Sequence, residues 1–406
     1  EHKGHDDGLL MGVAPDELYD AYTPMTVLSL IDVHNPASPT ISHQQVFEGD
    51  LTGTRRIGSK VYLIQNHSAL SRGLQTWPTV DWDASKANKL AAMNAMVEAN
   101  LEVIDALKLE DFLPNRFILN DEGLAIPEET AQIAACDRVF FPSAFSGRGL
   151  TTVITFDIKR PSLVDGTALP GQWSTVYTSE TGLYVAADTQ RMHWLWSEAS
   201  AAPLEVTTQI HKLGISAMTG RLDYEGSGVV AGRVLNQFSL DEHEGVLRVA
   251  TTTPDTSWMQ GGKESESHVF ILADVGPALE VVGHVDGLGL DERIYSVRFM
   301  GDMGYVVTFR QVDPLYVLDL SAPRAPRMTG ELKVPGYSSY MHPIGNDHLL
   351  TIGRDATETG QVQGLQFQIF DVSDPNDPRL AQKTVLEEGV GGHSEAEYDH
   401  HAFNYL

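Results

Sequence analysis

Leu315-Tyr316-Val317-Leu318-Asp319 is a short apolar run that ends on an aspartate, and prolines follow at Pro323 and Pro326. The run has the length and apolar content of a strand whose alternate residues are buried. The aspartate can accept hydrogen bonds from backbone N–H groups just beyond it and so close an Asx turn. The prolines fix φ and remove ladder donors, so the strand cannot continue. The stretch therefore reads as a strand with a built-in stop.

The same unit recurs along the chain. Leu28-Ser29-Leu30-Ile31-Asp32 precedes Pro36 and Pro39, and Phe367-Gln368-Ile369-Phe370-Asp371 precedes Pro375 and Pro378. Weaker copies are Ile154-Thr155-Phe156-Asp157 with Pro161 and Ile271-Leu272-Ala273-Asp274 with Pro277. Ile210-His211-Lys212-Leu213-Gly214 is a degenerate one. Between these stops lie apolar strand pairs around Gly- or Asp-rich turns, as at residues 54–64, 237–249 and 295–307, which read as hairpins. From Asp157 onward the stops recur at intervals close to the roughly 40–50 residues of a four-stranded propeller blade, longer than solenoid repeats. The expected fold class is an all-β propeller of about six four-stranded units, occupying residues 1–406 as one domain.

One interval, Asp32 to Asp157, is too long for a blade. It predicts a partly helical insertion at residues 70–145. The stretch from Ala84 to Leu107 lacks Gly and Pro and has apolar residues at helical spacing, whereas Pro114 to Gly149 reads as loop. The first strand, Met25 to Val33, has no partners of its own in this count. The last unit, Val372 to Leu406, has room for three strands and lacks its outer one. Either the N-terminal strand completes that last unit, or both ends continue into further blades.

Charge is lopsided: 55 Asp and Glu stand against 28 Lys and Arg, a formal net charge of −27. Such a field repels nucleic-acid phosphates and anionic membranes. No apolar run is long enough for a transmembrane helix. The single cysteine, Cys136, excludes an internal disulfide and reads as a small buried hydrophobe.

Longer runs carry a resemblance. Residues 228–242 (Gly-Val-Val-Ala-Gly-Arg-Val-Leu-Asn-Gln-Phe-Ser-Leu-Asp-Glu), the run Glu292 to Asp302 with Thr308 to Leu315, Pro335 to Tyr340 with His342-Pro343, and Ser394-Glu395 with Tyr398-Asp399-His400 resemble the secreted bacterial and archaeal β-propeller proteins described as distantly related to WD40 repeats. The resemblance covers nearly the whole chain apart from the helical insertion. It implies a secreted, periplasmic or cell-surface protein, no general activity, and chains that extend beyond both ends of this one.

Candidate sites follow from the propeller plan, in which leading strands and the loops of one face carry ligands. Polar residues recur at that position: Arg56, Gln237, Arg298, Tyr340 and Glu395. Arg293, Arg298 and Arg310 could clamp an anionic group bidentately, or the same arginines satisfy neighbouring carboxylates and carbonyls. Asp371, Asp374 and Asp377 form a candidate Ca²⁺ set without the Gly and closing Glu of an EF-hand, and they also fit the blade turn. His393, Asp399 and His400 form a candidate transition-metal set, with His2, His5, Asp6 and Asp7 at the other end. In a strand, His400 and His401 would face opposite sides. Trp194 and Trp196 share a strand face suited to a carbohydrate or peptide. No Gly-x-Ser-x-Gly elbow, Walker loop or His-Glu-x-x-His is present. A binding or scaffolding protein with a protein or carbohydrate ligand is the first expectation. The alternatives are an enzyme with a channel-mouth site, a metal-dependent hydrolase or cofactor-dependent dehydrogenase, and a subunit of a larger extracellular assembly docking through the insertion.

Overall fold

The computed structural model describes residues 24–68, 74–75, 77–81, 83–120, 123, 125–141, 149–171, 174–189, 206–254, 264–309, 313–357, 359, 361–386 and 392–405. Arg310, Trp194, Trp196, His2, His5, Asp6 and Asp7 lie outside them. The chain divides into two compact units, residues 1–173 with 216–222, and residues 174–215 with 223–406.

The first unit holds two four-stranded antiparallel sheets. One runs Met25–Asp32, Thr40–Glu48, Asn115–Ile118, Ala131–Gln132; the other runs Asp50–Ile57, Lys60–Ser68, Gly149–Asp157, Arg160–Pro170. The first strand therefore does have partners in its sheet, and two strands of that sheet come from the insertion. The region read as loop after Pro114 contributes these two short strands, because Thr40–Glu48 leaves an edge that backbone groups can pair. The helix of the insertion, α1, spans Lys86–Ala106.

The second unit holds one eight-stranded sheet, made of two four-stranded antiparallel blades, and two further four-stranded antiparallel sheets. The third blade is Ser174–Thr178, Gly182–Thr189, Thr207–Ile215, Leu222–Ala231, and the fourth is Leu240–His243, Val246–Thr253, Glu266–Val275, Ala278–Leu288. A parallel bridge, Ser227 to Ala278, joins these two. The fifth is Arg293–Met300, Met303–Phe309, Asp313–Asp319, Arg327–Val334, and the sixth is Tyr337–Ile344, His348–Ala356, Val362–Asp371, Arg379–Leu386. The sixth blade thus has its fourth strand, and residues 395–402 form 3₁₀ turns rather than strands. The expected all-β architecture of four-stranded propeller blades is what the chain builds. Among the described residues no helix is long and apolar enough to cross a membrane.

Burial follows strand position. Gly149–Asp157 is buried along its whole length, whereas Arg379–Leu386 is mostly exposed. The core lies between neighbouring blades. Ala250, Val269 and Ile271 of the fourth pack with Val297, Val306 and Leu318 of the fifth. Tyr305 and Val317 of the fifth pack with Met341, Leu349 and Phe370 of the sixth.

The Asp-to-proline punctuation works as its chemistry requires. Asp32 Oδ1 accepts from His34 N at 2.9 Å, Asp157 Oδ1 from Lys159 N at 3.0 Å, Asp319 Oδ1 from Ser321 N at 3.1 Å, and Asp371 Oδ1 from Ser373 N at 3.0 Å. Hydrogen bonds to the ionised form hold each carboxyl below the usual carboxylate range: chiefly the His34 amide at Asp32, the hydroxyl and then the amide of Ser321 at Asp319 and of Ser373 at Asp371, and at Asp157 Lys60, 2.9 Å away. A depressed folded pKa adds stability that is complete above the unfolded value of about 4 and is lost as pH falls through the folded value. The urea midpoint is therefore expected to fall as pH drops below about 4. Asp319→Asn with Asp371→Asn keeps an acceptor oxygen and should flatten that fall; an unchanged pH profile would count against the turn carboxylates as its source.

Cys136 is exposed, contrary to the buried role expected of it, and forms no disulfide. It opens the 3₁₀ turn Cys136–Arg138, and there Arg138 turns inward and donates to Thr167 Oγ1 at 2.9 Å. The Cys136 thiol lies 3.5 Å from Glu110 Oε1, and desolvation with that acidic neighbour raises its pKa.

Candidate functional site

In the second unit two short turns meet on the leading strands of the last two blades. Asn236 opens the first turn, Gln237–Ser239, by accepting from Phe238 N at 3.0 Å. Asp399 opens the second, His400–Ala402, by accepting from His401 N at 2.9 Å. The two turns share one device, an Asx side chain capping the amide two residues on. Gln237 Nε2 lies 3.0 Å and 3.3 Å from the two ring nitrogens of His400, and the Phe238 ring meets His400 edge-on at 5.2 Å.

The segment that carries His400 is anchored by packing and charge. Ala396 is buried against Tyr340, Ile352 and Leu365, with Phe238, Phe367 and Phe403 around them. Arg354 Nε and Nη2 reach the two oxygens of Glu397 at 2.7 Å and 2.8 Å. Ser394 and Glu397 form a capping box over the turn Glu395–Glu397. Farther along, Phe403 lies 5.3 Å from Tyr340 and 4.9 Å from His342, and Tyr405 lies 5.1 Å from His342. Burial first, and Arg298 second, lower the pKa of His342, which favours its neutral form.

Three of the leading-strand candidates converge here. Arg298 lies over Phe238 at 4.3 Å and Tyr340 at 5.5 Å and donates from Nε to Met341 O at 2.9 Å. It ties two blades together rather than presenting an open fork. Gln237 sits in the turn ahead of its strand, and Glu395 in a 3₁₀ turn, so neither occupies the strand position expected. Arg293 is elsewhere, hydrogen-bonded to Tyr295 OH at 2.8 Å. Arg56 belongs to the first unit, is exposed, and donates to Gly58 O at 2.9 Å. Phe238, His342 and Phe403 were not singled out as site residues by the sequence, and His401 was set apart from His400 by the strand reading; the Asn236 and Asp399 spacing was the signal available for the two turns.

The chain belongs to the β-propeller domain family. The family model for the beta propeller domain matches residues 10–406. An uncharacterized protein of Archaeoglobus fulgidus is 46% identical over 195 residues, which cover 48% of this chain and 28% of that protein. An uncharacterized protein of Methanocaldococcus jannaschii is 45% identical over 177 residues, 44% of this chain and 26% of that one. The matched stretch is therefore well under two thirds of the length of either relative. Among solved structures, a mutant of the Synechocystis apocarotenoid oxygenase has a TM-score of 0.35 and 10% identity over 68% of this chain and 59% of that one. Its cobalt-substituted form has the same TM-score with 11% identity over the same shares.

The propeller also sorts its metal candidates. Asp399, His400 and His401 each bring a ligand atom to within 4.8 Å of the others. The 3₁₀ turn makes this convergence possible: consecutive side chains on it stand about 120° apart, not opposed as in a strand, and the two imidazole rings lie 4.0 Å apart. His393 is exposed and outside the group, so His401 takes the place expected of it. A second converging group is His243, Glu244 and Asp302. Asp371, Asp374 and Asp377 do not converge. Asp371 is taken up by Ser373, Asp374 by Asn376 N at 3.0 Å, and Asp377 pairs with Arg379. The calcium set read from the sequence is thus the turn itself, because each carboxylate closes onto its own neighbours.

Proposed function

We propose that this chain is a non-enzymatic binding or scaffolding propeller that works outside the cytoplasm, and that the Asp399–His400–His401 turn holds a first-row transition-metal ion as part of its recognition surface. The observation that carries the proposal is the convergence of two imidazoles and one carboxylate within 4.8 Å on a turn braced by Glu397 and Phe403. An N,N,O donor set suits Zn²⁺ or Cu²⁺ better than Ca²⁺ or Mg²⁺. Three protein donors leave a position for a group from a partner. Gln237 serves as the outer partner of His400: its Nε2 lies against the ring, and, with the amide turned over, its oxygen can accept the N–H of whichever ring nitrogen the metal leaves. The work of the remaining polar groups is internal, since Arg298 and Arg354 are both satisfied within the fold.

Calorimetric titration of the chelator-treated chain with Zn²⁺ tests this. About one equivalent is expected to bind, with binding lost in His401→Ala and weakened about tenfold in Gln237→Leu. Zinc uptake that is absent, or that survives both His400→Ala and His401→Ala, overturns the site. The open coordination position also favours a second reading, a metal-dependent hydrolase. Zinc-dependent turnover of ester or phosphate substrates that disappears in His401→Ala would move the assignment there.

A further inference from the structure

Helix α1 carries an exposed, largely apolar seam. Ser85 caps the helix by accepting from Asn88 N at 3.2 Å, and the helix has no buried residue. Leu90, Val97, Leu101 and Ile104 are 58%, 49%, 52% and 45% exposed, and Ala87 and Asn94 are exposed with them. From Ala87 to Ile104 the steps along the chain run three, four, three, four, three. That is the spacing that keeps one stripe of a helix facing a partner helix over several turns. The neighbouring face is used differently: Met93, Met96 and Val103 are half-buried, and Asn100 grips the backbone of Gln75 with two bonds of 2.8 Å. The seam is therefore the face left over after the helix has been fastened to its own chain.

Charge along the helix identifies the partner. Lys86 and Lys89 lie near its start, and Glu102 and Asp105 lie near its end. A parallel copy would set lysine against lysine and acid against acid. An antiparallel copy can place Leu90 level with Leu101, Asn94 with Val97 and Ala87 with Ile104. The same register brings Lys86 level with Asp105, Lys89 with Glu102, and Asp83 with Lys108, just beyond the two ends. Apolar and charged residues thus select one arrangement. Asn94 is the one polar member of the seam. The two-fold axis passes between it and Val97, so the two carboxamides occupy adjacent central layers, where each can find the other. A slip of one heptad would set Asn94 against Leu90 or Ile104 and leave it unpaired. A single seam asparagine fixes register in this way at a cost in stability.

We propose that two copies of this chain pair through α1 as an antiparallel helix dimer. The pairing rests on reading the insertion as a docking element and names what it docks to. A second copy suits the seam because a symmetric interface must be complementary to itself, and this one is.

The test is sedimentation velocity of the full chain over roughly 1–100 µM, the range in which so small an interface is expected to assemble. Reversible passage from 44.5 kDa to twice that mass is expected. Val97→Glu with Leu101→Glu should leave a monomer with an unchanged far-ultraviolet spectrum, since both residues are exposed. Lys86→Glu with Lys89→Glu should weaken pairing about tenfold, and adding Glu102→Lys with Asp105→Lys should restore it. Asn94→Leu should tighten pairing about tenfold by removing the polar layer. A chain that is monomeric at every concentration overturns the self-pairing. An Asn94→Leu chain that pairs no more tightly puts this residue outside the seam and overturns the register. A dimer that ignores Val97→Glu with Leu101→Glu overturns the docking role of the insertion as well.

Discussion

Glu397→Ala is expected to destabilise the second unit by about 3–5 kcal/mol, the usual loss when one member of a buried ion pair is removed. The Glu397 side chain is only 8% exposed and that of Arg354 16%, so the guanidinium would be left charged in a place with little water. One further feature is lost: the bond from Ser394 N, which Glu397 accepts at 3.0 Å and which closes the capping box. Arg354 keeps one bond, to Gly392 O, which does not neutralise its charge. Replacing both members, Arg354→Met with Glu397→Leu, should cost less than Glu397→Ala alone, because no unpaired charge remains. Urea unfolding of the three variants checks this, and a double variant less stable than the single one would contradict the buried-charge argument. The proposed zinc site adds a second readout. Glu397 holds the segment that positions Asp399, His400 and His401, so Glu397→Ala should also weaken Zn²⁺ binding while leaving its donor atoms in place.

The punctuation of this fold was readable because each piece of it is local. Asp32, Asp157, Asp319 and Asp371 each bond an amide two residues ahead, and the prolines follow within the next seven, so short-range chemistry was enough. The helix of the insertion was readable for the same reason. The site was less legible because its residues come from distant parts of the chain. Gln237 meets His400 across 163 positions, and Arg354 meets Glu397 across 43. A histidine pair read as strand looks unable to share an ion; the same pair in a 3₁₀ turn converges. The difference is one of backbone conformation, and no composition or periodicity in so short a stretch reports it. Cys136 faces solvent while Arg138, two residues on, turns inward for the same reason.

Glycines of the outer strands carry a second signal that was missed, and the largest core effect is expected from one of them. Gly330→Val should destabilise the protein by about 3 kcal/mol through overpacking. A Cβ on Gly330 would meet Pro375 O and Pro378 Cδ, the turn that follows the last Asp stop, at less than real Cβ atoms allow. Gly283 meets Pro323 and Pro326 in the same way, and Gly226 meets Pro277. The obstacle at each site includes backbone oxygen, which cannot swing aside as a side chain would. Register shows that these are equivalent places. Gly330 pairs with Val317 and Gly283 with Ile271, each just before a bulge, and the matching position of the sixth blade is Gln382, paired with Ile369. Gln382 is exposed. Glycine thus stands where the proline turn of the next blade presses on the strand, and a larger residue stands where the strand faces outward. Gly53→Ala supplies the control, since nothing lies within 4 Å of its Cβ position, and it should be neutral or stabilising by about 0.5 kcal/mol. If Gly330→Val unfolds at the same urea concentration as Gly53→Ala, the proline turns do not set the spacing between blades. If it falls well below, the Asp-to-proline unit does two jobs: it ends its own strand, and it seats against a glycine of the blade before.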